Sequence, residues 1–417
     1  MTDLILEKTD AVDQEQGAPG WMTFLLAASC GLLAANLYYA QPLIGLIAPS
    51  VGLDAKAASL IVTFTQCGYC AGLALLVPLG DLIENRRLIV TTMCCAALAM
   101  GLAAVAPSGS LFLFACLLIG LLSVAAQMLV PIAAHLAPDA SRGRMVGNVM
   151  SGLLAGIMLA RPVSSLIADV LGWRAVFVAS AAAIAALAVV MRALLPARRP
   201  NADHHYFALI GSLWTLFRET PVLRRRAAYQ AFLFAAFSLF WTAVPLELAG
   251  PTFGLSQRGI GFFALAGAAG AVSAPIAGRL ADRGWSRAVS GLSMAIIAVS
   301  FLLAQLGEAG SMAALIAAGL LIDGSVQANQ VVGQRAIYAL GAEARSRLNG
   351  LYVALFFIGG AAGSAIASLV YALGGWRWIC WIGFAFPIAG LALFATEFTG
   401  KRGKNLSAAA RSLSPDQ

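Results

Sequence analysis

Charge is what this chain has least of. Asp, Glu, Lys and Arg make up only 11% of its 417 residues, where soluble domains carry about a quarter. That scarcity, with 60% hydrophobic residues, excludes a single soluble core. Histidine is scarcer still: His135 stands alone, and His204 with His205 shares a polar loop, so no metal site assembles. The seven cysteines (Cys30, Cys67, Cys70, Cys94, Cys95, Cys116, Cys380) all fall in apolar stretches, which excludes a disulfide framework. Cys67 and Cys70 have CxxC spacing but no second ligand pair, and they read as small packing residues. No glycine-rich loop ends in Lys-Ser/Thr, so a nucleotide-driven pump is excluded, and no cofactor is expected. No Ser/His/Asp, HExxH or paired-acid constellation occurs within the apolar runs, which argues against an enzyme. Residues 1–20 are polar and lack the basic start and small-residue cleavage site of a signal peptide.

What the chain has instead is long apolar runs. A bilayer's hydrocarbon layer is about 30 Å thick and needs about 20 mostly apolar residues per helix. Twelve runs qualify: 21–46, 57–79, 88–107, 110–136, 146–170, 174–196, 227–249, 258–281, 288–307, 311–338, 348–373 and 376–397. The expected fold class is all-α integral membrane, with twelve transmembrane helices in two six-helix halves around a central cavity. The domain reading is a tail (1–20), a first half (21–196), a central loop (197–226), a second half (227–397) and a second tail (398–417). Phe207 to Phe217 in the central loop reads as a short helix on the membrane surface.

The net charge of +8 is a topology signal rather than a nucleic-acid one. With the amino terminus inside, 22 of 27 Lys and Arg fall in cytoplasmic segments or helix ends, four outside (Lys56, Arg174, Arg258, Arg377), and one, Arg161, within a span. The expected location is a bacterial inner membrane with both termini cytoplasmic. The lipid bilayer and a small-molecule substrate are the expected partners, and the chain is expected to work as a monomer.

Sliding the second half onto the first at an offset of 203 superimposes Pro42 on Pro245, Gln127 on Gln330, Arg142 on Arg345 and Arg144 on Arg347. The register continues through Gly147 on Gly350, Gly156 on Gly359, and Gly172-Trp173-Arg174 on Gly375-Trp376-Arg377. Two halves with the same starting side are related by an axis along the membrane normal and can rock about a site between them. That arrangement points to solute transport by alternating access.

The loop after the second span reads Pro78-Leu79-Gly80-Asp81-Leu82-Ile83-Glu84-Asn85-Arg86-Arg87, and the loop after the eighth reads Gly278-Arg279-Leu280-Ala281-Asp282-Arg283-Gly284-Trp285-Ser286-Arg287. A helix-end acid followed by basic residues can form a latch that holds one conformation; the plainer reading is topology-setting charge alone. These loops resemble the signature of the major facilitator superfamily: a glycine, a helix-end aspartate and a basic cluster. With Asn36-Leu37-Tyr38-Tyr39-Ala40-Gln41-Pro42, the chain is similar to the twelve-span drug:proton antiporter branch and its bacterial efflux relatives. The resemblance implies proton-coupled efflux driven by the proton gradient. It also implies gating roles for Gly80, Asp81, Arg86, Arg87, Gly278, Asp282, Arg283 and Arg287, and a cavity lined by the first, fourth, seventh and tenth helices. The chain departs from the branch in three places. Glu84 and Asn85 replace the usual glycine and basic residue, Cys116 stands where the fourth helix has its arginine, and the fifth-helix proline signature is shifted, with Arg161 beside Pro162.

An ionisable residue in mid-span costs at least about 2.5 kcal/mol on insertion scales, so it normally faces the interior and has a role. Arg161 and Asp323 are such residues. Asp323, Gln327, Gln330 and Gln334 are spaced four, three and four, which places them on one face of the tenth helix, a stripe that lipid would leave unsatisfied. Burial favours the neutral form of a carboxyl, which makes Asp323 the candidate proton carrier. Arg161 holds its proton and is a candidate for fixing cargo or neutralising Asp323; a purely structural salt bridge is the competing reading. Asn36, Tyr39, Gln41 and Gln127 are further candidates, with Phe232, Phe237 and Trp241 as aromatic lining. The rival readings are a proton symporter importing a metabolite and a transporter-like sensor that binds without translocating.

Overall fold

A computed structural model describes residues 20–138, 141–199, 206–268, 270, 273–340 and 345–412. His204, His205 and most of the first tail lie outside the described residues, as does the end of the second. Among the described residues every regular element is helical. Nine helices are long and apolar enough to cross a membrane. Counted among the described residues, these nine cover ten of the twelve expected spans, the last of them holding the eleventh and twelfth, while the first and eighth are built from shorter helices.

The first span runs as Gly20–Ala35, unwinds over 36–40, and resumes as Gln41–Leu43 and Ile44–Ser50. Pro42 lacks an N–H and disfavours helical geometry in the residue before it, so short i to i+3 bonds, such as Tyr38 N–H to the Ala35 carbonyl at 2.9 Å, replace the regular ladder. The eighth span is built from Gln257–Ala268 and Ser273–Asp282. The eleventh and twelfth run through Arg345–Ser412 and are separated at Gly375, whose φ of 63° lies in the left-handed region. Gly172 holds φ 82° between the fifth and sixth spans (Arg142–Leu171 and Trp173–Leu194). The repeated Gly-Trp-Arg therefore marks one tight reversal used twice, at a backbone angle that glycine adopts without steric cost.

The two halves pack alike. Spans 1 and 5, 2 and 4, and 3 and 6 pair in the first half, as 7 and 11, 8 and 10, and 9 and 12 do in the second. The first of these pairings is a backbone contact: a methyl placed on Gly156 would meet the Gly31 backbone, and one on Gly359 would meet that of Ala231. Small residues allow such approach where lipid supplies little hydrophobic drive between helices. Large apolar side chains such as Leu98, Val189, Leu292 and Val299 stay exposed on the outside, as a lipid-facing surface requires. The surface helix is Tyr206–Glu219, tied to the bundle by Tyr206 Oη donating to the Leu75 carbonyl at 2.9 Å and Arg347 donating to Ser212 Oγ at 3.1 Å.

Two seams join the halves. Between spans 2 (Leu60–Leu75) and 11, and just before span 2, a ladder of hydrogen bonds runs beside the Tyr69–Phe357 ring contact at 4.7 Å: Thr63 Oγ1 lies 3.0 Å from Ser364 Oγ, and Ser368 N–H donates to Ser59 Oγ at 3.2 Å. Gln66 Nε2 extends this ladder to Ser238 Oγ of span 7 (Pro221–Ala249) at 3.0 Å. Between spans 5 and 8, Asp169 pairs with Arg258 at 3.3 Å, and Gln257 of span 8 donates to the Pro42 carbonyl of span 1 at 3.4 Å. Asp169, Arg258, Ser59 and Pro42 all lie toward the end opposite the arginine-rich loops, so the bundle is tied shut at that end.

Candidate functional site

The two mid-span charges meet at the centre. Arg161 of span 5 is 3% exposed and Asp323 of span 10 (Met312–Tyr338) 8%. They belong to different halves, yet Arg161 Nη1 lies 3.8 Å from Asp323 Oδ2. Trp241 Nε1 of span 7 donates to Asp323 Oδ1 at 2.6 Å, and Arg161 Nε donates to Gln41 Oε1 at 2.8 Å. The guanidinium carbon sits 4.2 Å from the Trp241 ring centroid, 5.0 Å from Phe237 and 5.3 Å from Tyr38. Aromatic faces attract the cation without using its N–H donors, and buried charges persist only when compensated in this way. Gly267 of span 8 completes the wall: a Cβ there would fall 2.6 Å from Asp323 Oδ2 and run into the Trp241 indole.

Beside the pair lies a cavity of about 130 Å³. Gln127, Gln327, Gln330 and Gln334 line it together with Arg161 and Asp323, so the glutamine stripe of span 10 does face inward. Gln127 Nε2 donates to Tyr69 Oη at 3.1 Å, and Gln334 Nε2 to Asn349 Oδ1 at 3.2 Å. Phe237 lines the wall directly, while Trp241 and Gln41 belong to the site through their bonds to Asp323 and Arg161. The wall extends through Gln334, Tyr338 and Asn349, toward the arginine-rich end.

Three expected lining residues are placed elsewhere. Asn36 accepts from Ser180 Oγ at 2.9 Å and donates to Ser123 Oγ at 3.5 Å, so its amide ties spans 1, 4 and 6 together. Tyr39 borders a groove between spans 1 and 5, and Phe232 packs toward Gly390 of span 12. Tyr38 and Phe234 stand in their places. The unwinding of 36–40 turns Tyr38 rather than Tyr39 to the cavity, and helical spacing with Phe237 is the signal that would have found Phe234.

The loop charges also pair differently from the expected latch. Among the described residues Asp81 has no ion-pair partner; Glu84 takes Arg86 at 3.5 Å and Arg87 at 3.2 Å. Gly80 sits in open space. In the second loop Asp282 pairs with Arg335 of span 10, which also donates to the Gly278 carbonyl at 2.6 Å. Hydrogen bonding to that guanidinium holds the Asp282 carboxyl below its usual range. Arg287 reaches Glu397 at 3.0 Å. Each of these pairs lies within one half.

A profile of the Major Facilitator Superfamily matches residues 24–332 and, overlapping, 227–415. A transporter designated YgaY of Escherichia coli O157:H7 is 40% identical over 91% of this chain and 96% of its own length. A probable transporter of Streptomyces coelicolor is 34% identical over 88% and 85%. A chloramphenicol efflux pump of Mycobacterium tuberculosis is 26% identical over 69% and 70%. Among solved structures, the nucleoside transporter NupG superposes with a TM-score of 0.70 at 15% identity, over 90% of this chain and 99% of that one. An inward-facing bacterial homologue of the human lysosomal transporter Spinster superposes at 0.71 and 13%, over 92% and 96%. With its duplicated six-helix halves, central cavity and profile match, this multi-pass membrane protein belongs to the major facilitator superfamily.

Proposed function

We propose that the protein exports a small organic solute across the bacterial inner membrane by alternating access, in exchange for protons carried on Asp323. The observation that carries this reading is the Arg161–Asp323 pair, contributed by opposite halves at the wall of the central cavity. Protonation of Asp323 removes the attraction across the midline, and cargo that needs the ionised carboxylate leaves with it, so solute and proton alternate at one group. The distant resemblance to an efflux pump supports the outward direction. With both termini and the arginine-rich loops cytoplasmic, the seams at Asp169–Arg258 and Thr63–Ser364 close the outer end, and the cavity extends inward. On this reading Asp282–Arg335 and Glu84 with its two arginines stiffen each half at the inner end as the halves rock.

The test is transport in proteoliposomes loaded with a pH-sensitive dye, challenged with drugs, sugars, amino acids and organic acids. The expected result is that one solute class moves protons opposite to its own flux, and that Asp323→Asn loses this coupling while still folding. Protons moving with the solute would instead establish a symporter. Binding without flux would establish a sensor.

A further inference from the structure

The central pair is left unfinished in a way that describes its cargo. Arg161 Nη1 and Asp323 Oδ2 stand 3.8 Å apart, beyond hydrogen-bond reach. Arg161 Nη2 is buried with no hydrogen-bond partner among the described residues, and so is Gln41 Nε2 on the amide that accepts from Arg161 Nε. Trp241 occupies Oδ1 of Asp323, while Oδ2 accepts no hydrogen bond among the described residues. Arg161 and Asp323 thus both reach the cavity wall with hydrogen-bonding capacity unmet, Nη1 facing Oδ2 across the gap, and burial makes unmet donors and acceptors costly.

We propose that the cargo is net neutral and presents a donor and an acceptor side by side, as the zwitterion of an α-amino acid or the edge of a carboxamide does. Its acceptor seats on Arg161 and its donor on Asp323 Oδ2. Among the described lining residues Arg161 and Asp323 are the only charged side chains, and they cancel. A singly charged cargo would leave one uncompensated charge in a buried site; a dipolar one adds none. The rest of the wall is equally free of charge: Gln327, Gln330, Asn349 and the rings of Phe234, Phe237 and Phe357 suit a body that is polar without charge, or aromatic. A proton on Asp323 Oδ2 puts an O–H donor against the cargo's donor and removes the charge that balances Arg161, so protonation expels such cargo. The inference rests on the transport reading and deepens it.

The test is thermal unfolding of the purified, full-length protein near neutral pH with matched compounds on two scaffolds. The aromatic set is phenylalanine, hydrocinnamamide, phenethylamine and hydrocinnamate; the aliphatic set is leucine, isocaproamide, isopentylamine and isocaproate. Ligands that bind only the folded state raise the midpoint. The expected result is a rise of several degrees with the zwitterion or the amide of at least one set, little or none with the matching cation and anion, and loss of the rise in Arg161→Gln. If that variant does not fold, the ranking on the wild-type protein decides. A cation or anion as the strongest ligand overturns the inference, and so does the absence of any rise across both sets. A charged compound that binds and is carried overturns this inference but leaves transport standing; a neutral one that binds without being carried does the reverse.

Discussion

At the scale of single residues, Arg161 and Asp323 behave as one unit. Each is buried, and each satisfies the other's charge from the opposite half. Removing one member of such a pair strands the other and costs about 3 kcal/mol or more, whereas removing both costs less than the sum. Arg161→Gln and Asp323→Asn should each lower stability by about that amount, and the double variant should recover part of it; a double-mutant cycle of thermal unfolding measures the coupling. Strict additivity would mean that the 3.8 Å approach carries no energy and that Trp241 and the aromatic rings hold each charge independently. Both charges were legible in the sequence because ionised groups in mid-span are rare enough to need a reason. Their pairing was not, since it depends on how span 5 of one half sits against span 10 of the other. Tyr38 was missed for a local reason: helical periodicity assigns faces only while the helix continues, and the first span stops being one at 36.

At the scale of elements, the repeat distinguishes glycines that look alike in sequence. Gly156 and Gly359 lie at helix crossings with no room for a methyl, while Gly147 and Gly350, equally part of the repeat, face open space. Overpacking costs roughly 1 to 3 kcal/mol, and glycine to alanine on an open helix face gains up to about 1 kcal/mol. Gly156→Ala and Gly359→Ala should therefore destabilise, and Gly147→Ala and Gly350→Ala should stabilise or do nothing, as read by the unfolding midpoint in detergent. The spans themselves were readable from hydropathy, and Gly-Trp-Arg was readable as a repeat, though its role as a reversal emerges only from the backbone angles of Gly172 and Gly375. The breaks in spans 1 and 8 were hidden, because an apolar run looks the same whether or not its backbone is regular. The Asp282–Arg335 brace gives a pH prediction at this scale. Its carboxyl is held below the usual range in the folded protein, so the brace contributes above the unfolded carboxylate's titration and is lost as pH falls through the depressed value. Asp282→Asn should remove that acid-side dependence of stability and leave the neutral-pH fold intact, which unfolding midpoints across an acid pH series would show.

At the scale of the whole molecule, the seams decide what can move. Each arginine-rich-end ion pair described above stays within its half, whereas Asp169–Arg258, Gln257 to Pro42, and the hydroxyl ladder of Ser59, Thr63, Ser364 and Ser368 cross between halves toward the other end. A rocking motion must break the second group and can keep the first. The hydroxyl ladder suits that task, since its bonds are individually modest and water replaces them when the seam opens, while an apolar seam would expose unfavourable surface. Tying Asp169→Cys to Arg258→Cys by a disulfide, with the exposed Cys67 and Cys94 replaced by serine, should stop solute flux without lowering ligand binding from the arginine-rich side, and reductant should restore it. Flux that persists through the cross-link would mean that this end need not open, and the two-half rocking model would fail with it. Asp282→Asn in the same assay should slow flux modestly and leave the response to cross-linking unchanged, because its brace does not cross the midline.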